Sequence, residues 1–291
     1  CEIILCRDID EMLEKMFRTE KIRSLAVERS RMATARFLKM ESLLKGGKIL
    51  PGLCADAIVK EFRKIKDSYE ADCIRRAQKI TDDAYEYILQ TACAGMKESD
   101  IRIALGAFMI RQGSENFNIG FISSSGTKTS MPHGGIGDKV IEKGDLLMID
   151  FGARIGGYTS DCTRTFGIGF VTDEQKEVYQ IVKEAQAQAL AGIRPGVTGQ
   201  EVDRIARRFI AESGYEGCFE HGLGHSVGLE GHENPRFNQT CTEKMRPGIV
   251  MTVEPGIYLE KRFGIRIEDM GMITEEGFEN FTKCSKELII V

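Results

Sequence analysis

Long apolar runs, a dominant charge sign and paired cysteine motifs are all missing from this chain. No stretch of roughly eighteen consecutive apolar residues occurs, which leaves no candidate for a membrane-spanning helix. The 40 basic and 44 acidic side chains give a formal net charge of −4, so neither nucleic acid nor an anionic membrane surface is an expected partner. The basic stretch from Lys21 to Arg36 reads as a solvated face. Cysteines at 1, 6, 54, 73, 93, 162, 218, 241 and 284 show no C-x-x-C spacing, which fits free thiols in a reducing compartment and not a disulfide framework. Low-complexity segments are absent too. The opening residues Cys1 to Asp8 lack the charged and apolar regions of a signal peptide, so a cytoplasmic protein is expected. Because the first residue is Cys1 and not methionine, a processed, shortened or incompletely defined chain is also expected. What remains is an ordinary globular composition, 42% hydrophobic and 29% charged over 291 residues, ample for one large or two modest cores.

Apolar spacing organises the chain. Residues 7–19 and 30–45 carry helical periodicity, 24–28 between them reads as a short strand, and Gly46-Gly47 breaks the second helix. Lys48 to Leu50 and a helix from about Ala55 complete an α-β-α segment. Long helical patterns then run over 68–91 and 98–112, with Gly113-Ser114 ending the second. Strands are expected at 116–123, 140–151 and 158–166, helices at 173–193 and 198–213, and strands again in the C-terminal third.

Four segments carry chemistry. In the first, two extended runs flank Gly156-Gly157, a pair suited to the positive φ of a tight turn. Pairing about Ile155-Gly156 sets residues whose numbers sum to 311 opposite each other and makes Asp150 and Asp161 direct cross-strand neighbours. Two solvated aspartates on an exposed face are the bland alternative. Asp150 argues against it, because it ends the apolar run Leu146 to Ile149 and so enters the interior, where an unpaired carboxylate is strongly unfavourable. Cys162, one residue on, points to the other face and reads as a small core residue.

The second segment, His221 to Pro235, concentrates three of the four histidines: His221, His225 and His232. His221 and His225 stand four apart, as on a zinc-binding helix, but glycines at 222, 224, 228 and 231 argue for strand or loop. In the third, Pro255 holds Glu254 extended and ends a strand at that carboxylate. In the fourth, period-two alternation sends Ile265 and Ile267 to one face and Arg266 and Glu268 to the other, so Arg266 is expected to orient Glu268.

Taken together, these segments resemble the pita-bread metallopeptidases, the family of methionine aminopeptidase, aminopeptidase P and prolidase. The resemblance covers residues 62–291 roughly without a gap, including the lead-in Arg63 to Glu70. It implies an α+β pita-bread catalytic domain at 65–291, preceded at 1–64 by the trailing part of an α/β creatinase-type N-terminal domain. It makes Asp150, Asp161, His225, Glu254 and Glu268 the ligands of two divalent ions, with Asp161 and Glu268 touching both. It assigns His133 and His221 to the substrate around the scissile bond and leaving group, His232 to the substrate carbonyl, and proton transfer to Glu254.

A ligand set rich in oxygen with one imidazole favours manganese, with cobalt or iron as alternatives. Four carboxylates nearly balance two such ions, so metal is expected to stabilise the fold. The activity implied is hydrolysis of the Xaa-Pro bond at peptide N-termini, of aminopeptidase P type, by a hydroxide held between the metals. Xaa-Pro dipeptidase is the first alternative, methionine aminopeptidase the second, and a non-catalytic binding module of the same fold the third. Creatinase shares the fold but has no use for five intact ligands. The expected partners are peptides with a free N-terminus and proline second; relatives with a complete preceding domain imply a homodimer.

Overall fold

A computed structural model describes residues 3–52, 54–116, 121–135 and 137–291. The chain divides into two compact units, Cys1–Arg63 and Lys64–Val291. The smaller contains α1 (Ile9–Thr19), β1 (Ser24–Leu25), α2 (Thr34–Leu43) and β2 (Lys48–Ile49), and α3 (Cys54–Lys64) follows. Asp8 starts α1 by accepting from the backbone N–H groups of Asp10 and Glu11. β1 and β2 pair in parallel, Ser24 opposite Lys48, and Phe17, Met40, Leu43 and Leu44 form a small core. The α-β-α order is the expected one, although the strand is limited to two residues.

The first half of the larger unit runs α4 (Ser68–Thr91), α5 (Glu98–Arg111), β3 (Ile122–Ser125), β4 (Leu146–Phe151), β5 (Arg154–Ile155), β6 (Tyr158–Thr159) and β7 (Cys162–Gly167). The second half runs α6 (Asp173–Gly192), α7 (Gly199–Ile210), β8 (Gly224–Ser226), β9 (Glu233–Phe237), β10 (Val250–Val253), β11 (Gly256–Leu259), β12 (Phe263–Arg266), β13 (Asp269–Thr274) and β14 (Gly277–Asn280). Reciprocal capping boxes start three of the helices: Asp67 with Glu70, Thr172 with Gln175, and Thr198 with Glu201. Each half packs its helices on an antiparallel sheet, of order β3-β4-β7 in the first and β14-β13-β10-β8-β9 in the second. Tyr85, Ile88 and Leu105 meet Leu147, Ile149 and Phe151 in one core, and Val178, Val182 and Ala206 meet Met251, Val253 and Ile265 in the other. Each large apolar side chain so buried contributes about 1.5–3 kcal/mol. This is the α+β architecture the sequence implies.

Several boundaries differ from the sequence expectation. Of the strand expected at 116–123, residues 117–120 lie outside the described residues, and the observed strand is Ile122–Ser125. The strand expected from 140 begins only at Leu146, because Gly144 turns the chain with φ +91°. The strand expected at 158–166 is divided in two, with Ser160 and Asp161 between β6 and β7. The helix expected to reach 213 ends at Ile210 and continues as one π-helical turn, Ala211–Tyr215, where Gly214 takes φ +92°.

The hairpin turn centre also moves by one residue, which slides the strand pairing by two. Gly156 and Gly157 both take positive φ, +59° and +84°, so they are the two central turn residues. Opposed residue numbers therefore sum to 313 and not 311: Arg154 faces Thr159, and Asp150 faces Thr163. Asp161 is a diagonal neighbour of Asp150, not its direct partner.

Candidate metal centre

β4 alternates. Leu147, Ile149 and Phe151 face the helices, so Asp150 projects from the opposite side. On β7, Cys162 and Phe166 belong to the same core, and Thr163 and Thr165 share the face of Asp150. His225 lies on β8, as the glycine-rich sequence argued. Gly224 beside it passes so close to β10 that an added Cβ would stand 2.0 Å from the Thr252 carbonyl oxygen. That approach brings His225 Nε2 to 3.2 Å from Glu254 Oε1 and 3.8 Å from Asp161 Oδ2. Glu254 stands just past the end of β10, where Pro255 was expected to stop the strand. Glu268 lies between β12 and β13, its N–H bonded to the Thr163 carbonyl at 3.0 Å.

All eight side chains nominated from the sequence line one cavity of about 270 Å³: Asp150, Asp161, His225, Glu254, Glu268, His133, His221 and His232. Donor atoms of Asp161, His225 and Glu268 fall within 4.8 Å of one another, close enough to share a cation. Oδ1 of Asp161 and Oε1 of Glu268 are buried without a hydrogen-bond partner among the described residues. Orphaned carboxylate oxygens in an interior are costly, and a divalent ion would satisfy them. The donor set, oxygen with one imidazole, fits such an ion.

The electrostatics agree. Burial pushes the Asp161 carboxyl well above its usual range, and the neighbouring charges of Asp150 and Glu254 push it further. Glu268 is raised in the same way, by burial and then by Asp161, Glu254 and Asp150. Burial also raises Asp150, against the Arg266 guanidinium. For Glu254 burial is outweighed by the His225 bond and by the charges of His225, His221 and Arg266, which hold it down to about 2. The metal-free site is a knot of carboxylates that resist common ionisation.

Arg266 does not orient Glu268. Its Nη2 donates to Asp150 Oδ2 at 2.7 Å, its Nε to Thr163 Oγ1 at 3.0 Å, and its Nη1 to Tyr258 Oη at 2.8 Å and the Pro132 carbonyl at 3.1 Å. The chain leaves the strand ladder after Arg266, so period-two alternation no longer relates it to residue 268. Thr163 takes that role, donating from Oγ1 to Glu268 Oε2 at 2.7 Å.

His221 Nδ1 must donate to the Gly222 carbonyl at 2.8 Å, which leaves Nε2 to accept from Tyr258 Oη at 2.8 Å. Burial lowers the His221 pKa, consistent with this neutral form. His232 stacks on His225 with ring centroids 4.0 Å apart, and burial, then His225, lowers its pKa to about 4. The segment bearing His133 is tied by the Arg266 bond to Pro132 and by a 3.0 Å bond from Ser124 Oγ to the Gly135 carbonyl.

The sequence model of metallopeptidase family M24 matches residues 72–275. The chain belongs to this family. The Xaa-Pro dipeptidase of Pyrococcus horikoshii is 41% identical over 270 residues, 93% of this chain and 76% of that protein. The crystal structure of the X-Pro aminopeptidase of Thermotoga maritima superposes with a TM-score of 0.93 at 38% identity, covering 99% of this chain and 81% of that one. The Xaa-Pro dipeptidase of Bacillus anthracis gives 0.95 at 36% identity, with coverage of 100% and 81%. The pita-bread fold expected of an M24 metallopeptidase is thus the fold present, and the family implies divalent metal.

Three residues of this M24 site escaped the sequence reading: Thr163, Tyr258 and Arg236. Arg236 lines the cavity from β9, directly opposite His225, and its charge reaches His232. A sequence signal for it existed, since the extended run from Glu233 to Phe237 sends alternate residues to opposite faces.

Proposed function

We propose that this chain is a metal-dependent exopeptidase that hydrolyses the Xaa-Pro bond of peptides with a free N-terminus, with Xaa-Pro dipeptides as its preferred class. One observation carries the reading: the five candidate ligands, three further histidines and Arg236 surround one cavity. Asp150, Asp161, His225, Glu254 and Glu268 would hold two divalent ions, manganese foremost. Bound there, such ions supply an activated water and polarise the scissile carbonyl.

The chain's own residues do the rest. Glu254, held ionised, accepts a proton from the attacking water and passes it to the leaving nitrogen. His232, whose pKa is lowered by partial desolvation and by His225, donates to the carbonyl oxygen as negative charge develops there. Asp150 receives the substrate amine, and His221 and His133 contact the leaving side. Arg236 supplies a cation suited to the terminal carboxylate that a dipeptide alone places so near the scissile bond. This favours a dipeptidase over an enzyme of aminopeptidase P type, the first expectation from sequence. Residues 65–291 form the catalytic domain in this proposal, and 1–64 belong to an α/β N-terminal domain.

The test is chromatographic: Xaa-Pro and Xaa-Pro-Yaa peptides incubated with manganese-loaded protein. Cleavage of Xaa-Pro with slower cleavage of the tripeptides is expected. Preferential cleavage of the tripeptides would restore the aminopeptidase P reading, and inertness toward both with metal bound would leave a binding module.

A further inference from the structure

Gln186, in the middle of α6, is fully buried beside Val182, Ala185 and Ala189, on a helix face otherwise occupied by apolar side chains. Its Nε2 donates to two carbonyls from distant parts of the chain, Val253 at 3.1 Å and Ile267 at 3.2 Å. These are the residues immediately before Glu254 and Glu268. The opposite amide orientation would aim Oε1 at two carbonyl oxygens, so the chemistry fixes Nε2 as the bridging atom. Its Oε1 finds no partner among the described residues, a cost for which packing alone offers no return.

The other edges of the two peptide groups are fixed as well. The Glu254 N–H donates to the Leu223 carbonyl at 2.7 Å and the Glu268 N–H to the Thr163 carbonyl at 3.0 Å. A peptide unit is planar, so holding both its C=O and its N–H sets the direction in which the next side chain leaves. One amide thus controls two such planes at once, and with them the separation of two carboxylates that repel each other.

We infer that Gln186 is a positioning residue for the metal centre, a clamp behind the sheet that holds Glu254 and Glu268 at the spacing a shared pair of ions requires. The inference rests on the metal-centre reading above. It assigns Gln186 no contact with substrate; the residue acts through two backbone carbonyls.

The experiment compares the wild-type chain with Gln186→Met, which keeps the length and removes both donors, and with Gln186→Glu, which keeps the shape and offers at most one. Manganese is titrated calorimetrically into each metal-free protein, and amide hydrogen exchange is followed at 249–256 and 263–270. Folded Gln186→Met is expected to bind manganese on the order of 10- to 100-fold more weakly, the range typical for partners of metal ligands. The Glu254 and Glu268 amides should exchange faster than in the wild type, with α4 and α5 unchanged. Unaltered affinity together with unaltered exchange at those two amides would overturn the inference, as would failure of both variants to fold, which marks a purely structural residue. If the wild-type chain itself takes up no manganese, the metal-centre reading fails, and the two amides alone then decide whether Gln186 clamps these peptides.

Discussion

Arg266 donates from Nη2 to Oδ2 of Asp150 at 2.7 Å, and the same guanidinium reaches Thr163, Tyr258 and the Pro132 carbonyl. It therefore links one candidate ligand directly, a second through Thr163, and His221 through Tyr258. Replacing Arg266 with methionine removes the cationic partner of a carboxylate that burial already drives toward its neutral form. Manganese affinity is expected to fall about 10- to 100-fold, measured by elemental analysis after dialysis against graded metal concentrations. Lysine, a point charge without the planar fork, should recover only part of it.

Proton release should accompany metal binding. Asp161 and Glu268 have pKa values raised above those of free carboxyls, so the metal-free chain holds protons there at pH values where the unfolded chain has lost them. Metal must expel those protons to bind, so affinity rises with pH and falls in acid. Calorimetry in two buffers of different ionisation enthalpy, between about pH 5 and 8, checks this. A binding heat independent of buffer would contradict it. At neutral pH, chelation should lower Tm, because an ion held at a hundredfold excess over its Kd stabilises the fold by about 2.7 kcal/mol.

Arg236 offers a selective test of substrate length. Its replacement by glutamine should raise KM for Xaa-Pro dipeptides about 10- to 100-fold, the loss expected for a charge-assisted hydrogen bond. Xaa-Pro-Yaa amides, which present no carboxylate at that distance, should respond far less. Equal losses for both classes would remove the carboxylate role from Arg236.

Arg164 is the largest of the fully buried side chains. It pairs with Asp269 at 2.8 Å and donates to the carbonyls of Thr163, Glu268, Cys284 and Ser285. Arg164→Met should cost about 3–5 kcal/mol in chemical denaturation, because it strands several carbonyls and weakens the neutralisation of a buried carboxylate. Adding Asp269→Asn should return part of that loss.

Much of this was legible in the sequence. Helices α4 and α6 announced themselves through sustained periodicity, and Pro255 located Glu254 at the end of a strand. The hairpin was recognised but its turn centre was misplaced by one residue and its pairing by two, because Gly156 and its neighbours cannot reveal which two residues take positive φ until the strands pair. Arg266 was assigned the wrong carboxylate because alternation ends where the strand ends, and nothing local marks that point. Thr163, Gln186 and Arg236 act across the fold. The partners of Thr163 and Gln186 are distant in the chain, so no spacing rule could nominate those two, whereas the alternation of Glu233 to Phe237 did mark the face of Arg236.

The cluster of Asp161, His225 and Glu268 draws on both halves of the larger unit. A chain still being synthesised cannot form it until nearly all of that unit has been made, since Glu268 comes last. Cation capture at this cluster would therefore be a late event in maturation, and a bound ion would certify that the two halves have docked. Repulsion among these carboxylates works against that docking, and an ion held between them would offset it.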